Sequence, residues 1–458
     1  MKFRITLAAA ALISVAFAAS GAQVRSPAST PQPGDWRPFQ RQFVPASAET
    51  DSALLRRARA IHERVLTIDT HVDISPNNFR AGVPNYTGRL NTQVDVTKME
   101  EGGLDGAFLI AYVGQRPALD SAGFAQAHAA AVEKFEAVQR LARELAPTRV
   151  GLALTAEDAR RIYASGKKVV FIGIENGYQV GSDITNVKKF YDMGGRYMSL
   201  AHNNHSQLSD SNTGERDGVW LHNGLSALGR EVLREMNKFG IMVDVSHPSK
   251  LSMMQTLEIT RAPIIASHSA ARALCNVSRN MDDEQLLALK KNGGVIQTVA
   301  FRGYVKCGVP ADTAAANAAQ RARSADIDAL RMEFGITATG NAERTAQIAA
   351  LDQAKQAQYL SRQQAIADRR YPGESSATVA DFVDHIDYIV RKIGIDHVGI
   401  SSDFDGGGGV YGWNNAAETF NVTLELVRRG YTEAEIAKIW SGNLLRVLEQ
   451  AERVAAEM

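Results

Sequence analysis

The chain has 458 residues, of which 45% are hydrophobic and 22% charged, a composition typical of globular proteins. Lysine and arginine number 51 against 50 aspartates and glutamates, a net charge of +1, so the sequence lacks the basic excess of a nucleic-acid-binding protein. A chain of this length can bury a large core, and we expect no nucleic-acid partner.

The first 22 residues have the pattern of a secretory signal peptide. Two basic residues precede a short apolar run from Ile5 to Phe17, and cleavage is expected after Ala18 or Ala22. A membrane anchor is the alternative, but the run is shorter than the roughly 20 residues that a spanning helix needs. We expect an exported protein, periplasmic or secreted, with no membrane anchor in its mature form.

Residues 23–48 are rich in proline, serine and glutamine, which predicts a flexible segment that becomes ordered near Ala48. The folded domain is expected over 49–458, beginning with a helix from Ser52 to Arg64. The sequence of this region shows no internal repeat beyond an alternation of predicted strands and helices, so we expect one domain.

Eight short apolar runs then alternate with helical stretches. Their nearly continuous apolar character is typical of strands buried on both faces of a parallel sheet, and eight βα units predict a (β/α)8 TIM-type barrel. A doubly wound open sheet is the alternative. No G-x-G-x-x-G motif supports a dinucleotide site. The runs are Val65–Thr70, Gly106–Val113, Val169–Ile174, Tyr197–Ala201, Ile241–Ser246, Pro263–Ser267, Gly294–Ala300 and His397–Ser402.

A long stretch separates the seventh and eighth runs. Residues 311–370 are rich in Ala, Gln, Arg and Asp and low in large apolar residues. They predict a helical insertion between strands 7 and 8, including Asn341–Arg369, that cannot form a core alone. Because it follows a strand, it lies on the active-site side of a barrel, where we interpret it as a lid without chemistry.

Six of the eight predicted strands end in histidine, aspartate or glutamate. The carboxyl ends of barrel strands converge on one mouth, so these side chains are expected to meet there. Singly, each has a plainer interpretation, as a structural histidine or a residue at a helix N-terminus. Together, several buried ionisable groups are costly unless a cation or another partner compensates their charge. The residues are His71, Asp73, Glu175, His202, His247, His268 and Asp403.

Three imidazoles and two carboxylates suit a pair of divalent ions of the zinc type. In His71-Val72-Asp73, the alternation of a strand points the first and third side chains to the same face, as two ligands of one metal require.

The sequence also resembles the membrane (renal) dipeptidase family of binuclear zinc peptidases, within the amidohydrolase-like barrels. The resemblance runs from about Val65 to Val454, apart from the insertion. The motifs that carry it are T-H-V-D at 70–73, G-I-E-N-G at 173–177, R-Y-M-S-L-A-H at 196–202, D-V-S-H at 244–247, R-A-P-I-I-A-S-H-S at 261–269, S-R-N at 278–280, H-V-G-I-S-S-D-F-D-G at 397–406 and N-L-L-R-V at 443–447.

The resemblance implies two zinc ions per chain. His71 and Asp73 would bind the first ion, His247 and His268 the second, and Glu175 would bridge both. A metal-bridging hydroxide would attack the scissile carbonyl.

The resemblance also assigns the remaining site residues. Asp403 would be the general acid/base and His202 the oxyanion stabiliser, while Arg279 and Tyr304 would hold the free carboxylate of a dipeptide. Without the family, Arg279 could be a surface arginine and Tyr304 a core aromatic.

The chain has two cysteines, Cys275 and Cys307, which form either one disulfide or two thiols. Export and the even count favour the bond. The resemblance implies the same pairing, and a homodimer is plausible from the family.

We therefore expect a zinc-dependent dipeptidase. One alternative is an amidohydrolase acting on another small amide, such as an N-acyl amino acid or a lactam. An alternative of another class is a non-catalytic metal- or peptide-binding barrel, which predicts the loss of a ligand or of the acid/base.

Overall fold

The computed structural model describes residues 42–308, 313–339, 341–372 and 377–458. The predicted signal peptide and most of the predicted flexible segment lie outside these ranges. Nine strands form one parallel sheet. They are β1 Ile68–Asp73, β2 Gly106–Tyr112, β3 Val150–Leu152, β4 Lys168–Glu175, β5 Gly195–Ser199, β6 Met242–Asp244, β7 Ile265–Ser269, β8 Val295–Val299 and β9 Val398–Ser401.

Helices alternate with the strands, and shorter 3-10 and π turns lie between them. The α-helices are Ser52–His62, Val96–Gly102, Ser121–Arg140, Ala156–Ala164, Thr185–Asp192, Gly214–Asp217, Ala227–Phe239, Lys250–Ile259, Asp283–Asn292, Arg302–Val305, Thr313–Glu333, Asn341–Ala349, Gln353–Asp368, Val379–Ile393, Phe420–Arg428, Glu433–Ala437 and Asn443–Ala456.

Eight of the strands form a nearly closed barrel in the order β1-β2-β4-β5-β6-β7-β8-β9. Closure is completed where Val72 of β1 bridges Phe404, just after β9, and where the Asp73 amide donates to the Phe404 carbonyl at 2.9 Å. The predicted (β/α)8 barrel is confirmed, and the doubly wound alternative is wrong. The short β3, which the sequence did not predict, pairs with β4 outside the barrel order.

The barrel interior is aromatic on one side. The ring of Phe108 in β2 stacks on Phe171 in β4 at a centroid distance of 4.5 Å, and on Tyr197 in β5 at 5.1 Å. All three side chains are fully buried. This stack fixes the phenol of Tyr197, whose hydroxyl reaches the site at the strand ends.

The predicted insertion lies between β8 and β9, the seventh and eighth strands of the barrel. Its helices are Thr313–Glu333, Asn341–Ala349 and Gln353–Asp368, so the predicted stretch 341–369 is interrupted, and Asp352 caps the last helix through the Lys355 amide. The expectation that the insertion cannot form a core alone is wrong, because its helices share a small apolar cluster. Its buried members are Leu330, Ile336, Tyr359, Leu360 and Ile366.

Packing of the N-terminal segment on the barrel begins before Ala48. Phe43 is buried and lies edge-on to Tyr411 at 6.0 Å, and the Ala46 amide donates to Asn421 at 2.8 Å. Residues 43–46 of the predicted flexible segment therefore contact the folded domain. In the ranges described, no helix is both long and apolar enough to cross a membrane.

Candidate active site

The carboxyl ends of the barrel strands bring the predicted polar residues together. His71 and Asp73 lie in β1, Glu175 ends β4, and His268 lies in β7. The other three follow their strands by two or three residues, so the loops after β5, β6 and β9 deliver them to the same mouth. These are His202, His247 and Asp403.

One side of the Glu175 carboxylate faces β1. Its Oε2 lies 3.5 Å from Nε2 of His71, which is also 3.7 Å from Oδ2 of Asp73. These three residues present donor atoms within 4.8 Å of one another. They form the first of three groups with the donor types of a divalent metal site.

The other oxygen of Glu175 faces β6 and β7. Oε1 lies 3.0 Å from Nε2 of His247 and 3.4 Å from Nε2 of His268, and the two imidazole nitrogens are 3.0 Å apart. The two oxygens of one carboxylate thus face two separate groups of donors.

A third grouping includes Asp403, with Oδ1 4.0 Å from Nε2 of His71. Asp403, His71 and His268 also bring donor atoms within 4.8 Å of one another. Asp403 has a positive φ of 57°, as does His247 at 76°, a backbone conformation that costs energy for non-glycine residues and is concentrated at functional sites.

Nδ1 of each clustered histidine faces an oxygen atom that accepts a hydrogen bond. Nδ1 of His71 lies 2.9 Å from the Tyr197 hydroxyl, which donates its own proton to the Thr70 carbonyl. Nδ1 of His247 lies 3.0 Å from the side-chain oxygen of Asn203. In the neutral ring each Nδ1 therefore carries the proton, which leaves the Nε2 that faces Glu175 as the nitrogen that can bind a metal.

His268 follows the same rule. Its Nδ1 lies 2.8 Å from the Ser267 hydroxyl, which donates to Asp244 at 2.7 Å. The hydroxyl oxygen is therefore left to accept from His268. The third Nε2 also points into the cluster.

The electrostatics of the cluster are dominated by burial and mutual charge. Burial opposes ionisation of Glu175, but His71, His247 and His268 hold its pKa well below the ordinary value. Burial likewise opposes the charge on His71, yet Glu175 and Asp73 raise its pKa well above 6.5. Burial and nearby Arg279 lower the pKa values of His247 and His268, so these rings are neutral.

Asp403 behaves differently from Glu175. Burial, with the negative charges of Asp73 and Glu175, raises its pKa to about 8, although His71 and Arg279 oppose the shift. A carboxyl group with this pKa exchanges a proton near neutral pH, as a general acid or base must.

A cavity of about 620 Å³ opens above the cluster. His202, Arg279 and Tyr304 line it with the clustered carboxylates, while His71 lies beneath its floor. The Arg279 guanidinium lies 5.3 Å from the Tyr304 ring centroid and donates to the His268 carbonyl at 3.1 Å. Burial lowers the pKa of His202, whose Nε2 is 3.9 Å from Glu175.

A disulfide joins Cys275, in the loop after β7, to Cys307, in the turn after β8, with their Cα atoms 5.2 Å apart. Between them, the side-chain NH2 of Asn280 donates to the Cys275 carbonyl at 2.9 Å and to the Tyr304 carbonyl at 2.8 Å. These contacts fix the loops that carry Arg279 and Tyr304.

Several cavity residues were not predicted from the sequence. Tyr112 ends β2 with its ring 4.7 Å from that of His202, and Lys134 enters from the helix Ser121–Arg140. A lysine within a helix is ordinarily a solvated residue. Asn203 could have been noticed through its position next to His202.

Comparisons with known proteins agree with this geometry. A family model described as membrane dipeptidase, peptidase family M19, matches residues 55–458. Dipeptidase tcpJ of Claviceps purpurea is 30% identical over 81% of this chain and 72% of its own length. Dipeptidase 3 of Macaca fascicularis is 27% identical over 71% of this chain, which matches only 53% of that relative.

Solved structures show the same fold. The probable dipeptidase PvdM from Pseudomonas aeruginosa is 31% identical with a TM-score of 0.70, covering 88% of this chain and 100% of that one. A metallopeptidase from Rhodobacter sphaeroides, liganded with a phosphinate mimic of the dipeptide L-Ala-D-Ala, has a TM-score of 0.63 at 20% identity. That match covers 84% of this chain and 99% of the neighbour.

Proposed function

The chain belongs to the membrane dipeptidase family of metal-dependent peptidases, and we propose that it hydrolyses the peptide bond of dipeptides in the cavity above Glu175. One observation carries the proposal: three buried histidines each turn Nε2 toward one carboxylate, while each Nδ1 has a hydrogen-bond acceptor of its own. This is the arrangement of imidazole and carboxylate ligands, and a bound cation would replace the proton that His71 holds in the absence of metal.

The residues present fit a pair of zinc ions. Zinc binds imidazole nitrogen at about 2.0–2.1 Å in a tetrahedral arrangement, so donor atoms on one ion lie about 3.4 Å apart. The separations from Glu175 to its three histidines range from 3.0 to 3.5 Å. Oε1 of Glu175 and Nε2 of His71 are buried without a hydrogen-bond partner among the described residues, as expected of metal ligands.

We assign His71 and Asp73 to the first ion, His247 and His268 to the second, and Glu175 to both. Bound metal would supply the nucleophile, because it lowers the pKa of water from 15.7 toward about 7. The remaining steps belong to side chains.

Asp403 is the proposed proton carrier. Its carboxyl is next to the cluster, with Oδ1 4.0 Å from Nε2 of His71, and it also lines the cavity. It takes the proton of the attacking water and gives it to the leaving amine. No serine or cysteine nucleophile is required.

His202, Arg279 and Tyr304 position the substrate. His202 is neutral and partly exposed to the cavity, so its N–H can donate to the developing oxyanion, a contact worth about 3 kcal/mol. Arg279 and Tyr304 hold the C-terminal carboxylate, which Arg279 suits through its fork of N–H donors. A free carboxylate held beside the metals restricts the substrate to short peptides.

A substrate panel with metal analysis on the same sample tests the proposal. We expect about two zinc ions per chain, turnover of Ala-Ala as L,L or L,D isomers, and no turnover of tripeptides. Chelation should abolish activity, and zinc should restore it. Turnover of N-acetyl-alanine without any dipeptide would contradict the dipeptidase proposal and favour the amidohydrolase alternative.

We also propose that residues 1–22 direct export and are removed. The disulfide between Cys275 and Cys307 supports an oxidising compartment. Intact mass of the protein from the periplasm or medium tests this. A protein that still begins at Met1 in those fractions would contradict it.

A further inference from the structure

Lys134 is a basic residue that the proposed reaction does not use. It lies on the helix Ser121–Arg140 and lines the cavity. Its ammonium is 5.6 Å from the ring centroid of Tyr112, whose ring packs 4.7 Å from that of His202. Lys134 therefore forms part of the wall on the His202 side.

The Lys134 ammonium has no hydrogen bond or ion pair within the part of the chain that the structure describes. By contrast, buried Lys98 is paired with Asp95 at 2.7 Å. Burial lowers the pKa of Lys134, while Asp73 and Glu175 act in the opposite direction from a distance. A half-buried cation without a partner gains from an anion that enters the cavity.

Strand order places Lys134 opposite Arg279. The helix that bears Lys134 follows β2, whereas Arg279 and Tyr304 follow β7 and β8. In the barrel order β1-β2-β4-β5-β6-β7-β8-β9, β7 is half the circumference away from β2, and β8 is next to β7. The cavity therefore has one cation on each side, with the His/Glu cluster between them.

A dipeptide would extend across this arrangement. On the proposed function, the C-terminal carboxylate lies at Arg279 and the scissile carbonyl lies beside His202. The residue on the amino side of the bond then extends toward the wall formed by Tyr112 and Lys134. At about 620 Å³, the cavity leaves room for a side chain there.

We propose that Lys134 is a specificity-determining residue that binds a carboxylate in the side chain of the amino-side residue. The enzyme is then selective for dipeptides that begin with glutamate or aspartate. This inference rests on the proposed dipeptidase function and on the assignment of Arg279 to the opposite carboxylate.

The test compares substrates of nearly equal shape and different charge. We expect kcat/KM for Glu-Ala to exceed that for Gln-Ala by about tenfold or more, the value of a hydrogen bond to a charged group. In Lys134→Met the ratio of kcat/KM for Glu-Ala to kcat/KM for Gln-Ala should fall to about one. The control, Lys188→Met, removes an exposed lysine paired with Asp192 and should keep the wild-type ratio.

Three results would overturn the inference: no preference in the wild type, an unchanged preference in Lys134→Met, or a preference for Ala-Glu over Ala-Gln that Lys134→Met abolishes. The last would place the acidic residue on the carboxyl side. Failure of the proposed function looks different, because neutral Ala-Ala would then not be hydrolysed by the wild type either.

Discussion

The hydroxyl oxygen of Tyr197 lies 2.9 Å from Nδ1 of His71, although 126 residues separate them in the chain. The same hydroxyl donates to the Thr70 carbonyl, so it can only accept from the histidine. The barrel core thereby sets the tautomer of a proposed metal ligand, through a ring that stacks on Phe108.

Tyr197→Phe should weaken metal binding by about 10–100-fold, the usual effect of removing a partner of a ligand histidine. The variant keeps the ring in the stack but leaves Nδ1 of His71 without an acceptor. Titration with zinc against a competing chelator measures the change. Tyr163→Phe, which removes a hydroxyl away from the site, is the control; equal affinities in both variants would contradict the role of Tyr197.

Asp403→Asn should lower kcat by about 10²–10⁴-fold with metal content intact, because the amide cannot carry the proton. The structure offers another role, since Asp403 also groups with His71 and His268 as a possible ligand set. Metal analysis of the purified variant distinguishes the two. Loss of one ion per chain would identify Asp403 as a ligand and contradict its assignment as the proton carrier.

Arg279→Met should reduce kcat/KM for Ala-Ala by about 10–100-fold, as expected for lost hydrogen bonds to a charged group. Activity toward Ala-Ala amide, which lacks the carboxylate, should fall much less. Arg272→Met is a matched control, because that arginine lies in the same loop and pairs with Glu215. Equal losses on both substrates would show that Arg279 does not bind the carboxylate.

The barrel and the meeting of polar residues at its mouth could be predicted because their causes are local. Strands buried on both faces read as apolar runs, and a polar residue at the end of such a run stands out, as Glu175 does after Ile174. The roles of Tyr197 and Asn203 have no such signature, since they depend on contacts with His71 and His247 that only the folded barrel creates.

Short or self-contained elements were missed for related reasons. The three residues of β3 are too few to show a period, and their pairing with β4 is a tertiary contact. The helices of the insertion pack on each other through Tyr359 and Leu330, a cluster too small for composition to reveal. Lys134 was overlooked because a helical lysine is ordinarily solvated.

His385 should make the protein less stable in acid. It accepts from the Ala271 amide at 3.1 Å and donates to the Val305 carbonyl at 2.9 Å, and burial lowers its pKa to about 4. Below pH 6.5 the imidazole of His385 is protonated in the unfolded chain, whereas in the folded protein it stays neutral down to about pH 4. Stability is therefore complete above pH 6.5 and declines as pH falls, by up to about 3 kcal/mol.

The measurement is urea unfolding of metal-free protein at a series of pH values. His385→Gln has no proton to gain, so its stability should fall less steeply over this range, although it is less stable at pH 7. Parallel pH profiles for the wild type and the variant would show that His385 does not titrate in this way.

Gly406→Ala should reduce activity by about 100-fold, the effect of a displacement of about 1 Å at a reacting group. A Cβ on Gly406 would collide with Oδ1 of Asp403 and Oδ2 of Asp73, so both carboxylates must move. One is the proposed proton carrier and the other a proposed ligand, so zinc affinity should fall together with kcat. Gly114→Ala is the control, because its added methyl meets nothing within 4 Å. Wild-type activity in Gly406→Ala would mean that neither carboxylate needs the position it has in the structure.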